Sequence, residues 1–135
     1  MIKRVDHIGI VVKDLSKALA IYSKGLALQP KEMRELKDVP LKAAVFQIGD
    51  LFIELIEYGN RNSETTKHLR GDQEGLNHVC YEVKELGESI RKLEEAGFQL
   101  VPGFPRGGVH GRIAFLKAPA PSVELIEILE TEHGK

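Results

Sequence analysis

A single cysteine, Cys80, is all the thiol chemistry the chain has. An internal disulfide is therefore impossible, and a cysteine-rich zinc site is excluded. Excess charge is missing too: Lys+Arg number 19 and Asp+Glu 20, for a formal net charge of -1. A nucleic-acid binder would carry a basic excess. A disordered tail would carry more net charge and fewer apolar residues. No apolar run approaches the roughly 18 residues that a membrane-spanning helix needs. The opening Met1-Ile2-Lys3-Arg4-Val5-Asp6 reaches an acid before any long apolar stretch, unlike a secretory signal. What is present is ordinary for a globular chain: 135 residues, 42% hydrophobic and 29% charged. The expectation is one domain in a reducing cytoplasm, with a small molecule rather than nucleic acid or membrane as partner.

The chain repeats itself. Asp-His-Ile-Gly-Ile-Val-Val-Lys-Asp-Leu at 6–15 returns as Asn-His-Val-Cys-Tyr-Glu-Val-Lys-Glu-Leu at 77–86, 71 positions on. Each block runs into helical spacing, with Leu15, Ala18, Leu19 and Tyr22 on one face and Leu86, Ile90 and Leu93 on another. Asp14 is a good N-cap, and Glu85 a poorer one that still suits the helix dipole. Gly25 and Gly97 are expected as left-handed C-caps. Further on, Ile53-Glu54-Leu55-Ile56-Glu57 returns as Val123-Glu124-Leu125-Ile126-Glu127, now 70 positions on. Ala43–Ile48 and Arg112–Leu116 read as the strands before these segments. Each half is thus β-α-β-β-β, about 1–59 and 75–130. Residues 60–74 form a polar linker with a short helix near Ser63–Leu69, and 131–135 a tail. The fold class is α+β. A free half of this size is marginal, so two halves sharing one core are expected.

The polar residues that interrupt the strands suggest chemistry. By alternation, Phe52, Glu54, Ile56 and Tyr58 share one face, and Glu124, Ile126 and Ile128 share one face. Both faces are predicted to look away from the helices. A carboxylate among apolar neighbours is costly unless paired or bound to a cation. His7 and His78 open the matching first strands. Two imidazoles and two carboxylates suit one divalent ion of Mn, Fe, Co, Ni or Zn. Taken singly, each residue has a plainer reading as a hydrogen-bonded or solvated side chain; taken as a symmetric set, the four point to metal. Glu57 and Glu127 fall on the other face and read as surface acids, with Glu127 the alternative fourth ligand. Lys42, Arg106 and Arg112 are placed either to dock an anion or as solvated charges. Tyr22, Tyr58, His68 and Cys80 read as structural.

Together these residues resemble the vicinal oxygen chelate (glyoxalase/bleomycin resistance/dioxygenase) superfamily over about 2–130. The resemblance implies two βαβββ modules forming a cup-shaped mixed sheet around one metal ion. Its ligands come from the first and last strand of each module, which maps onto His7, Glu54, His78 and Glu124. Within the superfamily the chain is most similar to the methylmalonyl-CoA epimerases. Asp6-His7-Ile8-Gly9, Glu74-Gly75-Leu76-Asn77-His78 and above all Gly108-Val109-His110-Gly111 before an apolar strand carry that likeness. Three departures stand out. Asp38-Val39-Pro40-Leu41 replaces a usual Glu-Gln-Gly-Val, Asn77-His78 replaces His-His, and Ala118-Pro119-Ala120-Pro121-Ser122 shortens a loop. The implied activity is removal of a proton beside a thioester carbonyl. Glu124 and Glu54 are then the candidate bases and Asp38 the acid/base outside the metal shell. An acyl-CoA or other thioester is the implied substrate, and a homodimer the implied assembly. A glyoxalase I-like lactoylglutathione lyase and a metal-free binding protein of the bleomycin-resistance type are the alternatives.

Overall fold

In the computed structural model, residues 1–120 and 125–131 are described. The chain divides into two compact units, His7–Asn77 and Met1–Asp6 with His78–Lys135.

In the first unit, strand β1 (Ile2–Val11) contributes its part from His7 onward. Helix α1 (Leu15–Gly25) follows, then β2 (Glu32–Leu36), β3 (Leu41–Ile48) and β4 (Leu51–Tyr58). The strand order is β2-β3-β4-β1, with β1 parallel to β4 and the other pairs antiparallel. Gly49-Asp50 joins β3 to β4 in two residues, with Gly49 at φ 62, the pattern of a type II′ hairpin turn. Asp14 caps α1 by accepting from the Lys17 N–H. Leu15 and Ala18 of α1 pack on Ala44, Phe46 and Leu55, with Ile10, Leu19, Tyr22 and Ile53 around them. A wholly buried side chain such as Phe46 or Leu55 contributes roughly 1.5–3 kcal/mol. The polar segment after β4 holds a short helix α2 (Glu64–His68), capped by Ser63, where a helix was expected.

One expectation fails at the end of α1. Gly25 closes the helix without a positive φ, and the left-handed residue is Ala27, at φ 56. The Leu26 and Leu28 N–H groups both donate to the Tyr22 carbonyl, so the chain turns two residues later than expected. Gly97 does adopt the left-handed form, at φ 97.

The other unit takes β5 (Gly75–Val83) from His78 onward, then α3 (Leu86–Glu95), β6 (Gln99–Leu100), β7 (Arg106–Gly107), β8 (Gly111–Lys117) and β9 (Leu125–Thr131). Its order is β5-β9-β8-β6, with β5 parallel to β9 and β7 also paired to β8. Two short pieces, β6 and β7, stand where the first unit has the single strand β2. Pro102 and Pro105 lie between them, and a proline has no N–H for the ladder. Leu86 and Ile90 of α3 pack on Val83, Ala114, Leu116 and Ile128. Glu82 is buried but ion-paired: Arg4 Nη1 lies 3.1 Å and Lys3 Nζ 3.4 Å from its oxygens. The Glu82 hydrogen bond is the main cause holding the Arg4 guanidinium above its ordinary range. Each unit is therefore a mixed sheet with its long helix on one face, an α+β arrangement. Among the described residues no helix is long and apolar enough to cross a membrane.

Candidate functional site

The face of the first sheet turned away from α1 carries His7, Gly9 and Val11 on β1 and Phe52, Glu54 and Ile56 on β4. Register sets this, since β1 pairs His7 with Phe52 and Gly9 with Glu54. His7 Nδ1 stands 3.6 Å from Glu54 Oε2, with side chains only 8% and 12% exposed. Glycine at position 9 leaves no side chain between the imidazole and the carboxylate. Arg34, on the neighbouring strand pair, also reaches Glu54 Oε2, at 3.3 Å.

The second unit repeats the arrangement with a different glutamate. β5 pairs His78 with Leu125 and Cys80 with Glu127. His78 Nε2 lies 3.1 Å from Glu127 Oε1, with side chains 2% and 8% exposed. Phe115, opposite Glu127 on β8, meets the His78 ring edge-on, with centroids 5.1 Å apart. Phe104 in turn meets Phe115 edge-on, with centroids 5.2 Å apart.

The expected fourth ligand, Glu124, lies outside the described residues. The face assigned to its strand does need correction. Ile126 and Ile128 pack under α3, so they belong to the helix face and not to the face opposite. Leu125, Glu127 and Leu129 look the other way, with His78 and Cys80. Glu127 is therefore no surface acid. The structural repeat is Ile53-Glu54-Leu55-Ile56-Glu57 against Ile126-Glu127-Ile128-Leu129-Glu130, a shift of 73 positions. Exchange of Leu and Ile hid it, although the exchange is chemically neutral.

A second pair of acids confirms this shift. Glu57 Oε1 accepts the Leu15 N–H at 2.8 Å, and Glu130 Oε1 accepts the Leu86 N–H at 2.7 Å. Each closes the N-terminus of its unit's long helix, where a carboxylate meets both open N–H groups and the positive end of the dipole. Glu57, expected as a surface acid, is thus a cap delivered from the last strand. The β-α-β repeat places such an acid by register alone, and alternation of faces does not reveal it.

Asp38 is not brought to either pair. It sits exposed in the turn Lys37–Pro40, beyond the last β2–β3 pair, Leu36 with Leu41. Val45 is the residue opposite Glu54, so the turn lies roughly 13 Å or more along the strand. Lys42 and Arg112 are exposed and Arg106 is half-buried. Asn77, a departure from the His-His pair of the resembled family, donates to the carbonyls of Leu69 and Arg70 at 3.0 and 3.2 Å. It holds the end of α2 in place. The glycine of His110-Gly111 is explained by packing: a Cβ there would strike the Glu130 carbonyl.

Each pair fits a divalent cation. Nitrogen and carboxylate oxygen are donors that first-row ions accept. Both carboxylates are nearly buried, where a charge costs free energy unless a cation or hydrogen bond compensates it.

Residues 6–116 match the Glyoxalase/Bleomycin resistance protein/Dioxygenase superfamily. The chain is 31% identical over 128 residues to the uncharacterized protein YqjC of Bacillus subtilis (strain 168), covering 94% of this chain and 91% of that one. It is 29% identical over 114 residues to the ethylmalonyl-CoA/methylmalonyl-CoA epimerase of Cereibacter sphaeroides, covering 83% and 85%. Among solved structures, the methylmalonyl-CoA epimerase from Mycobacterium tuberculosis is similar, with a TM-score of 0.77 and 25% identity, covering 95% of this chain and 87% of that one.

Proposed function

The chain belongs to the glyoxalase/bleomycin resistance protein/dioxygenase superfamily, and on that premise we propose that it is a metal-dependent epimerase of a CoA thioester, with His7, Glu54, His78 and Glu127 as its metal ligands. One observation carries the reading. The same buried imidazole–carboxylate pair occurs in both units at the same register, Gly9 with Glu54 and Cys80 with Glu127. A single such pair is a common structural feature. A duplicated one, on the helix-free face both times, supports a shared ion. The epimerase names of the Cereibacter and Mycobacterium relatives support the substrate class.

A bound divalent ion supplies Lewis-acid stabilisation of the negative charge that grows on a carbonyl oxygen as the neighbouring proton leaves. The chain supplies the rest. Epimerisation needs one group to take the proton from one face of the carbon and another to return it on the opposite face. Glu54 and Glu127, one from each unit, are the two carboxylates proposed for this. Asp38 is left out of the reading, because a base must first be within hydrogen-bond reach. Phe115 and Phe104 keep water from the His78 side, which strengthens every charge interaction there. A cytoplasmic homodimer completes the reading.

The test is exchange of the α-proton of methylmalonyl-CoA in D₂O by protein loaded with Co²⁺ or Mn²⁺. Exchange that disappears on chelation is expected. Turnover of a hemithioacetal in its place would assign the chain to the glyoxalase I-like lyases. Absence of both with metal bound sinks the enzymatic reading.

A further inference from the structure

Glu54 already has a cation beside it. Arg34 Nη1 donates to Glu54 Oε2 at 3.3 Å, and this is the oxygen that stands 3.6 Å from His7 Nδ1. Arg34 has a second anchor as well. Its Nε and Nη2 grip the two oxygens of Glu32 at 2.9 and 3.3 Å. Register explains the meeting. On β2 and β3, Glu32 pairs with Val45 and Arg34 with Ala43, while Val45 also pairs with Glu54 on β4. The three side chains therefore share the helix-free face. The Arg34 side chain is only 15% exposed, so solvent screens its charge incompletely. A guanidinium does not deprotonate in a protein, so that charge is permanent.

A divalent ion that binds Glu54 must share the carboxylate with this guanidinium or displace it. We propose that Arg34 is a positioning residue that competes with the metal for Glu54, and that Glu32 sets the strength of the competition by holding the guanidinium in its fork. This rests on the reading of His7, Glu54, His78 and Glu127 as metal ligands. Remove the charge at Arg34, and Glu54 turns wholly to the metal. Remove the charge at Glu32, and the full attraction of Arg34 falls on Glu54.

The two changes therefore have opposite signs, which a merely structural role for Arg34 does not predict. Isothermal titration of Co²⁺ into the chelator-treated full chain reads them. Arg34→Gln is expected to bind Co²⁺ about tenfold more tightly than wild type, the scale of a partly screened unit charge a few ångströms away. Arg34→Lys keeps the charge and is expected to stay near wild type. Glu32→Gln, at a side chain 37% exposed and tolerant of change, is expected to bind several-fold more weakly. Equal or weaker binding by a folded Arg34→Gln overturns the proposal. If that variant does not fold, equal or tighter binding by Glu32→Gln overturns it. Uptake of Co²⁺ by none of the four proteins overturns this proposal and the ligand reading together, whereas uptake that all share equally overturns this proposal alone.

Discussion

Glu54 and Glu127 occupy the same place in their two units, yet their neighbours differ in kind. Glu54 has Arg34 against one oxygen, and Arg34 is held by Glu32. Glu127 has Phe115 opposite it, and Phe115 packs edge-on against His78, with Phe104 behind. Glu54 has an arginine within hydrogen-bond reach, and Glu127 has a phenylalanine directly opposite it in the sheet. The imidazole–carboxylate distance is 3.6 Å at the His7–Glu54 pair and 3.1 Å at the His78–Glu127 pair. The two units share the pair and differ in what surrounds it. On the proposed ligand set, the His78–Glu127 side is expected to hold a cation more strongly, because Arg34 competes for Glu54.

Removing the carboxylates one at a time has the largest expected effect. Glu127→Ala is expected to weaken Co²⁺ binding by more than about 100-fold, above the range seen when only an outer partner is lost. Glu54→Ala is expected to cost less, because Arg34 already offsets part of what Glu54 offers the metal. Glu124→Ala is expected to leave binding within about twofold. Titration calorimetry of the three variants decides. Metal loss in Glu124→Ala with Glu127→Ala intact would undo the shift of 73 positions between the strands.

That shift marks where the sequence is legible. The repeated strand–helix–strand order, the buried positions of His7, His78 and Glu54 and the helix near Ser63 are readable from periodicity and repetition, because burial fixes them locally. Which face the acids of the last strand take is not a local matter. Two alignments of the last strand compete, and the one with more identities places Ile126 and Ile128 on the face away from the helix. Only the pairing of β9 with β5 decides, and pairing depends on where α3 and the β8 hairpin deliver the strand. The cap acids Glu57 and Glu130 were hidden for the same reason. Each serves a helix more than 40 residues away in sequence, a contact that no short window contains. Arg34 is not legible because β2 offers no apolar alternation to mark which face it takes.

The hairpin between β7 and β8 offers the largest effect on stability. Gly111→Ala would drive a methyl group into the Glu130 carbonyl at a backbone φ of 153. Strain and overpacking together are expected to cost about 3 kcal/mol. Gly107, in the same hairpin, has open space around it, and Gly107→Ala is expected to stay within about 0.5 kcal/mol. Urea unfolding compares the two. Equal costs would mean that the close approach of β8 and β9 is relaxed in solution.

The two long helices also start differently. α1 has two caps, the Asp14 carboxylate on Lys17 N–H and Glu57 on Leu15 N–H. α3 lacks a side-chain cap from its own N-cap residue, Glu85, so Glu130 carries more of the task. Glu130→Ala is expected to cost about 2 kcal/mol and Glu57→Ala about 1 kcal/mol. Thermal unfolding of both variants, read at one temperature, checks the order. A larger loss from Glu57→Ala would mean that Asp14 does not share the load.

The helix ends differ by less, and in the opposite sense. Gly97 takes the left-handed turn after α3 without a side-chain penalty, whereas Ala27 takes it after α1 with one. A left-handed alanine costs roughly 1 kcal/mol in the folded state. Glycine at position 27 would remove that cost but add chain entropy to the unfolded state. The net expectation for Ala27→Gly is a gain of about 0.5 kcal/mol. Gly97→Ala is expected to lose more than this, about 1–2 kcal/mol, since its new methyl would also stand 3.3 Å from Pro119 Cβ. The sign is the informative part. If Ala27→Gly destabilises the chain, the turn after α1 is not left-handed in solution, and the two helices end in the same way.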